Sequence, residues 1–341
     1  MATLKDVAAL AHVDVSTVSR ALNNTSYVHP ETKARIMAAV KELSYKPNVL
    51  ARGLRRGRLN TIAVIIPKLA FSIFSDVMSG VEEEARSHGY ATVVVQTGDD
   101  KLIEKENLNR FRNGFVDGMI IAGTGMNNRI VRDIAVEMPV IQVIRRSDLK
   151  ISSVVVDYTD IGYQAVAHLY GRGCRKIGLI NGSDRITPYA DRFRGYRKAI
   201  KEFGLPEIPA EIDTPERGLQ YGYDCTVRLI DENMELDSIL AATDAQGIGA
   251  MRALRDNQLS VPDNVKVCSM TGYKVGRMLE TSMTSMELPG LEIGQKAADM
   301  VIRSILESSM FKQNMTILSY FAFLFKSGCF SVYDFIHLRC Y

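Results

Sequence analysis

Residues 3–20 of this chain read TLKDVAALAHVDVSTVSR, and this stretch decides the fold of the N-terminal region. Its apolar residues recur at the three- and four-residue spacing of two short amphipathic helices. The first set is Leu4, Val7, Ala8 and Ala11, and the second is Val15, Val18, Ala21 and Leu22. The segment from Ala11 to Val13 is too short for anything but a sharp turn. The sequence therefore predicts a helix-turn-helix pair, with Asp14 as the N-cap of the second helix.

The second predicted helix turns a polar face outward. This face carries Ser16, Thr17, Ser19 and Arg20. Hydrogen-bonding side chains of this kind suit the base edges and phosphates of a DNA major groove. Any helical hairpin can show the same spacing, however, so the pattern alone leaves a purely structural hairpin open.

The residues that follow extend the helical region and make it basic. Residues 29–45 predict a third amphipathic helix with Pro30 at its first position. Residues 1–60 hold ten Lys and Arg against four Asp and Glu, a net charge of +6, whereas the rest of the chain carries −3. The excess ends in a cluster at Arg52, Arg55, Arg56 and Arg58. A basic run is commonly a solvated linker, but beside a helix-turn-helix it indicates a surface for the phosphate backbone.

Four motifs in this region resemble the LacI family of bacterial transcription regulators, in that family's order and spacing. They are T-L-K-D-V-A from residue 3, S-T-V-S-R from 16, Y-K-P-N from 45 and A-R-x-L from 51. The resemblance implies a DNA-binding head at 1–47 and a hinge helix and linker at 48–60. The DNA contacts that we expect are Thr3, Val15, Ser16, Thr17, Ser19, Arg20, Asn23, Arg52, Leu54 and Arg55.

Three residues of this region need separate mention because of the resemblance. Leu54 matches the leucine that the family inserts into the minor groove. His12 and Asp14 depart from the family, which customarily has a glycine in the turn and a serine as the cap. Asp remains a good cap, although its charge near phosphates should weaken DNA binding.

Composition places the chain among ordinary globular proteins. With 341 residues, of which 46% are apolar and 24% charged, it can hold a small head and two α/β lobes. Its five cysteines lack any CxxC pair or Cys/His ligand spacing, so we expect neither a zinc site nor a disulfide framework. Before the tail there is no apolar run long enough for a membrane span, and no signal-peptide pattern opens the sequence. We therefore expect a cytoplasmic protein, nucleoid-associated when bound to DNA, that needs no metal or cofactor.

From residue 61 the pattern changes to short β-branched runs that alternate with amphipathic helices. The predicted strands are 61–67, 91–97, 118–122, 139–144, 154–157, 176–181, 238–243 and 265–270. The predicted helices are 75–88, 102–113, 161–172, 192–203, 218–232 and 246–257. The strands are continuously apolar, as in parallel sheets that helices cover on both faces. We therefore predict an α/β protein in which an all-α head precedes two doubly wound lobes at 61–309, with a ligand at the carboxyl ends of the strands.

The resemblance to the LacI family continues more loosely to about residue 308. The motifs on which it rests are V-D-G at 116–118, H-L at 168–169, K-I at 176–177, R-F-R-G-Y at 192–196, A-T-D at 242–244 and I-G-A at 248–250. The resemblance implies a fold similar to periplasmic sugar-binding proteins, and we place the lobe crossovers near residues 157 and 286. It also implies a homodimer on pseudo-palindromic operator DNA, whose affinity is set by a small effector, most simply a sugar, in the cleft.

The five candidate effector contacts are Phe74, Asp157, Arg192, Asp244 and Thr271. Arg192 matches the family's effector-anchoring arginine, and a guanidinium can fork onto two sugar hydroxyls or a carboxylate. Its alternative is a surface residue in a basic run. Asp244 follows a buried strand, where it is either a cleft carboxylate or the N-cap of the next helix. For Phe74 the alternative is an ordinary core ring, and for Asp157 it is a structural role at the interlobe hinge.

Thr271 departs from the family pattern, which usually has an aspartate at this point of the cleft. A cleft with one carboxylate fewer should differ in its ligand preference, so the identity of a sugar cannot be carried over from the family directly.

Signals for an enzyme are weak. The run Gly123-Thr124-Gly125 is only a fragment of a dinucleotide fingerprint. The sequence has no G-x-S-x-G, H-E-x-x-H or P-loop motif, and its five histidines lack a catalytic spacing. We therefore expect a repressor with no catalytic residues. The alternative from another class is a cytoplasmic sugar-binding module without regulatory DNA binding, and the basic head argues against it.

Residues 310–341 form a tail that differs from the rest of the chain. Nine of the 26 aromatic residues and two of the five cysteines fall here, and the Arg-x-Ser-type motif that usually closes the family is missing. We interpret the tail as an abnormal terminus, such as a frameshift produces. The alternative is a divergent strand or an amphipathic interaction segment. Residues 318–325, LSYFAFLF, combine β-propensity with low charge, which is typical of aggregation-prone segments.

Overall fold

The structure is a computed structural model of the chain, which divides into two units, Met1–Leu59 and Asn60–Tyr341. The residues that it describes are 2–23, 26–45, 58–69, 72–148, 150–212, 214, 217–232, 235–272, 279, 281, 283–307, 314–317, 320–322 and 339–340. The predicted hinge contacts Arg52, Leu54 and Arg55 lie outside these described residues.

The first unit contains three helices around one small core. They are α1 (Leu4–Leu10), α2 (Val15–Asn23) and α3 (Pro30–Glu42). Val7, Val18 and Ile36, one from each helix, are fully buried in the same hydrophobic cluster. The predicted helix-turn-helix and the third amphipathic helix are therefore confirmed, and the apolar spacing read from the sequence is what brings the three helices together.

A capping box begins α1. The Asp6 N–H donates to Thr3 Oγ1 at 3.3 Å, and the Thr3 N–H donates back to Asp6 Oδ2 at 2.7 Å. The two bonds satisfy backbone donors that have no partner inside the helix. The bond from the Thr3 backbone, which favours the charged carboxylate, lowers the pKa of Asp6 below its usual value.

The turn between α1 and α2 requires a left-handed residue, and that residue is His12, with φ +51°. An L side chain in this region costs about 1–2 kcal/mol, which glycine avoids. This backbone explains why a turn glycine is customary there. Asp14 then occupies the N-cap position, because its carbonyl accepts the first helical bonds of α2, from the N–H groups of Thr17 and Val18 at 2.9 and 3.1 Å.

The second unit contains two sheets and their covering helices. The strands are β1 (Thr61–Ile66), β2 (Ala91–Gln96), β3 (Gly118–Ile121), β4 (Val140–Val143), β5 (Ser152–Val156), β6 (Ile177–Ile180), β7 (Ile208–Ala210), β8 (Ser238–Ala241), β9 (Lys266–Gly272), β10 (Thr284–Glu287), β11 (Asn314–Ile317), β12 (Tyr320–Ala322) and β13 (Arg339–Cys340). The helices are α4 (Ser72–Ser87), α5 (Lys101–Arg112), α6 (Asn128–Glu137), α7 (Tyr158–Gly171), α8 (Thr187–Glu202), α9 (Leu219–Asp231), α10 (Asp244–Asp256) and α11 (Gly290–Glu307).

The strand orders are those of two doubly wound lobes. The first sheet has the order β13-β11-β5-β4-β3-β1-β2, and the second has the order β12-β10-β9-β8-β6-β7. All neighbours pair in parallel except β11 with β13 and β10 with β12. In β1, Ile62, Val64 and Ile66 pack into one core, and Ala63 and Ile65 pack into another on the opposite face. The predicted two-lobed α/β fold is confirmed, and burial on both faces accounts for the continuously apolar strands.

Among the described elements, the chain passes between the lobes four times. It leaves the first sheet after β5, returns between β10 and α11, passes again between β11 and β12, and returns between β12 and β13. The last two passages lie in the tail. There β11 runs parallel to β5 and β12 runs antiparallel to β10. The start of the tail therefore supplies strands to both sheets, which agrees with the alternative interpretation of a divergent strand. None of the helices in the described part of the chain has both the length and the apolarity that crossing a membrane requires.

Candidate functional site

The polar face of α2 carries most of the side chains predicted to contact DNA. Ser16 and Arg20 are exposed. The partly buried members of the set are Val15, Thr17, Ser19 and Asn23. Thr3, which was also predicted, is exposed, but it lies in the α1 capping box rather than on α2.

Arg20 folds back along its own helix. Its Nε donates to the Ser16 carbonyl at 3.3 Å, and its Nη2 donates to Ser16 Oγ at 3.2 Å. Asn23 does the same one turn later, because its Nδ2 donates to the Ser19 carbonyl at 2.7 Å. The two bonds to Ser16 use two of the five N–H donors of Arg20, so three donors are left for a base edge or a phosphate.

A cavity of about 390 Å³ lies between the two lobes of the second unit. Its wall contains segments that follow β1, β4 and β5 in the first sheet and β6, β7, β8 and β10 in the second, together with Thr271 near the end of β9. These are the carboxyl ends of parallel strands, where the topology of a doubly wound sheet leaves a crevice for ligands. The cavity is large enough for a ligand of monosaccharide size.

Four of the five predicted effector contacts line this cavity: Phe74, Arg192, Asp244 and Thr271. The fifth, Asp157, is not brought to the cavity wall. It is exposed and caps α7, where its Oδ1 accepts a hydrogen bond from the Asp160 N–H at 2.9 Å. Asp157 therefore has a structural role, which was the alternative to ligand contact. It lies between the last residue of β5 and the first residue of α7.

Arg192 is a buried cation in the cavity wall. Only 4% of the residue is exposed, and its Nη2 donates to Thr271 Oγ1 at 2.8 Å. Its guanidinium carbon lies 4.6 Å from the ring centroid of Tyr158 and 5.8 Å from that of Tyr189. Burial lowers the pKa of Arg192 and raises the pKa of Tyr158 to about 12. At neutral pH the site therefore holds a cation against the neutral ring of Tyr158.

Close packing of α7 against α8 positions this arginine. A Cβ on Gly162 of α7 would lie 2.2 Å from the Arg192 carbonyl oxygen, and one on Gly195 of α8 would lie 2.0 Å from the Thr159 carbonyl oxygen. Only glycine allows the two backbones to approach so closely. The backbone of Arg192 is thus held against a neighbouring helix rather than on a surface loop, so the alternative of a surface arginine is wrong.

Thr271 joins Arg192 to the end of strand β8. Its Oγ1 donates its single proton to the Ala242 carbonyl at 2.9 Å, so it can only accept from Arg192.

Asp244 is the first residue of α10, and the N-cap is the preceding residue, Thr243, whose hydroxyl accepts from the Gln246 N–H at 3.3 Å. The alternative that made Asp244 the N-cap is therefore off by one residue. Its Oδ1 accepts hydrogen bonds from the hydroxyls of Ser269 and Ser285, the latter at 3.2 Å. The positive end of the α10 dipole also favours its charge.

Sequence reasoning missed several residues of the wall, above all Arg145, Tyr158, Tyr189 and Arg217. Arg145 and Tyr158 follow directly from the ends of β4 and β5, so the rule about carboxyl ends of strands could have found them. Tyr189 was missed because α8 begins at Thr187 instead of 192.

The turn before Arg145 is strained. The Arg145 N–H donates to the Val143 carbonyl at 2.5 Å, which closes a three-residue γ-turn around Ile144. Ile144 has φ +62°, a value that β-branched residues rarely adopt. Strain of this kind gathers at ligand sites, where surrounding contacts hold the backbone in place. Here the contact is an ion pair in which Nη1 and Nη2 of Arg145 donate to the two oxygens of the Asp99 carboxylate.

The described wall of the cavity offers groups that can bind a ligand. Cys174, Cys225 and Cys268 are buried and free. Among the described residues, no group of three or more His, Cys, Asp or Glu side chains is placed to hold a metal ion. What the wall offers is three arginines, a carboxylate and aromatic rings around an apolar pocket, which together can hold a ligand that is both polar and carbon-rich.

Two families match consecutive parts of the sequence. Residues 3–48 match bacterial regulatory proteins of the lacI family, and residues 59–326 match the periplasmic binding proteins and sugar binding domain of the LacI family. The second match extends past residue 308, so the resemblance reaches into the tail.

Curated relatives are similar over nearly their whole length. The HTH-type transcriptional regulator RegA of Clostridium saccharobutylicum is 27% identical, covering 93% of this chain and 97% of the relative. The ribose operon repressor of Escherichia coli K12 is 29% identical over the same shares. Among solved structures, the Lac repressor dimer bound to operator and the anti-inducer ONPF superposes with a TM-score of 0.82 at 22% identity, covering 94% of this chain and 97% of that one. At that identity the superposition speaks for the fold.

Proposed function

Since this chain belongs to the LacI family of bacterial regulatory proteins, we propose that it is an operator-binding repressor controlled by a small hydroxylated effector. One observation carries the proposal. The same chain joins a helix-turn-helix, whose second helix exposes Ser16 and Arg20, to a two-lobed unit with a buried arginine in its cleft. A DNA contact and a ligand contact on one chain are the two sites that allosteric control needs.

The repressor acts as a homodimer on pseudo-palindromic DNA. Two heads related by a two-fold axis read two half-sites of opposite direction. The Lac repressor of the same fold is a dimer on its operator, which supports this assembly. Residues 48–60 fold into a hinge helix only when the dimer brings two copies together on DNA, and Leu54 enters the minor groove there. Such a protein works in the cytoplasm, at the nucleoid.

A sugar-binding module without DNA binding is the weaker candidate. It would need the cleft alone, whereas residues 3–48 match the regulatory family and carry the excess of positive charge. The relatives named as ribose operon repressors favour a sugar-like effector and regulation by repression rather than an enzymatic role.

Selection of an operator from random DNA tests this proposal. The full chain is incubated with a pool of randomised duplexes, and bound DNA is amplified over several rounds and sequenced. We expect one pseudo-palindromic sequence to be enriched. The matched control is a chain that lacks residues 1–60, which should enrich nothing. Equal enrichment by both chains, or none by the full chain, would contradict the proposal.

A further inference from the structure

Two arginines in the cavity wall are balanced in place by ion pairs. Among the described residues, three arginines and one aspartate lie in the wall. Arg145 forms an ion pair with Asp99, and Arg217 forms one with Glu211 at 2.9 Å. Asp244 lies at the N-terminus of α10, and its carboxylate accepts hydrogen bonds from the hydroxyls of Ser269 and Ser285. For Arg145 and Arg217 the protein supplies a carboxylate that balances the charge, and for Asp244 it supplies hydroxyl donors to the Oδ1 atom.

Arg192 differs from the other two arginines. Its one hydrogen bond in the described structure goes to Thr271, a neutral hydroxyl. The neighbouring carboxylate, Asp191, is ion-paired with Arg194 at 2.7 Å. A guanidinium has five N–H donors, and the buried Nε of Arg192 has no acceptor among the described residues. A buried cation with unmet donors is unfavourable until an anion reaches it.

From this imbalance we propose that the effector carries an anionic group, a carboxylate or a phosphate, which pairs with Arg192. The inference rests on the proposed function, because it names the ligand class for the same cleft. Phe74 and the rings of Tyr158 and Tyr189 cover the carbon skeleton of the ligand. A hydroxylated ligand with an acidic group, that is, a sugar acid or a sugar phosphate, meets both requirements. Planar pairing with a guanidinium is the strongest form of this contact.

Thr271 is the residue that sets this preference. An aspartate in its place would pair with Arg192 internally and leave a neutral pocket. Because Thr271 spends its only proton on the Ala242 carbonyl, it contributes neither charge nor a donor to the ligand. The charge of Arg192 therefore remains available to the effector.

Thermal unfolding of the full chain in simple anions tests the proposal. The melting temperature of wild type is measured in rising sodium phosphate or sodium acetate, with sodium chloride holding the ionic strength constant. We expect a saturable rise, because a ligand that binds only the folded state stabilises it. The rise should vanish in Arg192→Gln. It should persist in Arg197→Gln, since Arg197 is exposed on the same helix and pairs with Glu207.

A second pair of variants guards against a folding defect in Arg192→Gln. Thr271→Asp should weaken the affinity for the anion by about tenfold or more, because the new carboxylate competes for Arg192. Thr271→Asn introduces a side chain of the same size as aspartate but without the charge, so it should keep the wild-type response. A stronger response to acetate assigns a carboxylate to the effector, and a stronger response to phosphate assigns a phosphoryl group.

Two results would overturn the proposal. One is the absence of any rise beyond the chloride control in wild type. The other is an equal rise in wild type and Thr271→Asp, which would be the general effect of excluded salts. Either result leaves operator selection untouched, because that experiment reads the DNA-binding unit. Failure of operator selection would instead remove the proposed function, whatever the anion response.

Discussion

At the scale of single residues, Arg192 is where the cleft acts on a ligand. Its side chain is buried among two tyrosine rings and Thr271, so its removal takes a charge from the pocket without touching the DNA-binding helices. A ligand can shift DNA affinity only through different affinities for two states of the protein.

Arg192→Ala should therefore abolish the response of operator affinity to effector and leave operator binding by the ligand-free protein intact. Fluorescence anisotropy with labelled operator measures both quantities. Arg197→Ala is the matched control and should respond as wild type does. A normal response in Arg192→Ala would remove this residue from the effector site.

Arg20 is the corresponding residue on the DNA-binding unit. It is exposed and, among the described residues, hydrogen-bonded only to Ser16, so its guanidinium can turn toward DNA at a small loss of helical contacts. Arg20→Ala should lose about 1–3 kcal/mol of operator affinity and relax specificity at one base pair, if the arginine bonds a guanine. The affinities for operator and for random DNA are compared at one salt concentration. An equal loss on both would make Arg20 a phosphate contact.

At the scale of elements, the turn between α1 and α2 carries an avoidable strain. His12 has φ +51°, and glycine would relieve the strain. Part of this gain is offset because glycine raises the conformational entropy of the unfolded chain. We expect His12→Gly to stabilise the three-helix unit by about 0.5–1 kcal/mol. Hydrogen exchange of the amides of α1 and α3 measures the change. His12→Ala, which keeps the strain, should give no gain, and a gain of the same size there would refute the explanation.

The hinge is the second element with a definite expectation. Residues 48–56 include Gly53 and are too few to form a stable helix alone. When Leu54 unstacks one base step, the free-energy cost would be offset because the hinge holds the two heads in register on DNA. Leu54→Ala should reduce DNA bending and operator affinity, with effector binding and dimerisation unchanged. A gel-phasing assay compares the bend angles, and a bend equal to that of wild type would rule out the wedge.

How far the sequence could predict these elements depended on local pattern. Runs such as residues 61–67 are apolar over a whole strand, so β1 was predicted almost to its ends. By contrast, β7 has three residues, including Pro209, and leaves no periodic pattern to detect. Arg192, Asp244 and Thr271 could be predicted as cavity residues because each lies at or after a motif. Arg217 could not, since it reaches the cavity from a loop before α9.

In the tail, composition and strand pairing report different things. The aromatic composition predicts an abnormal terminus, which stays a prediction, whereas residues 314–317 continue the first sheet in register with β5. Pairing with a distant strand depends on tertiary context, which composition does not report.

At the scale of the whole molecule, the proposed function couples a cleft to a DNA-binding head within one chain. Both ends of the coupling are defined by side chains, Arg20 on one unit and Arg192 on the other. Reciprocity then follows from thermodynamics: if the effector weakens operator binding by some factor, the operator weakens effector binding by the same factor.

The most direct test of this claim measures operator affinity of the full chain with the cleft empty and with it filled. The filling ligand is whichever of D-glucuronate, D-glucose 6-phosphate and D-ribose 5-phosphate raises the melting temperature of the chain most. Anisotropy titrations with the selected operator give both affinities at one ionic strength. We predict a change of about five- to 150-fold that disappears in Arg192→Ala. An unchanged operator affinity with the cleft demonstrably filled would contradict the account.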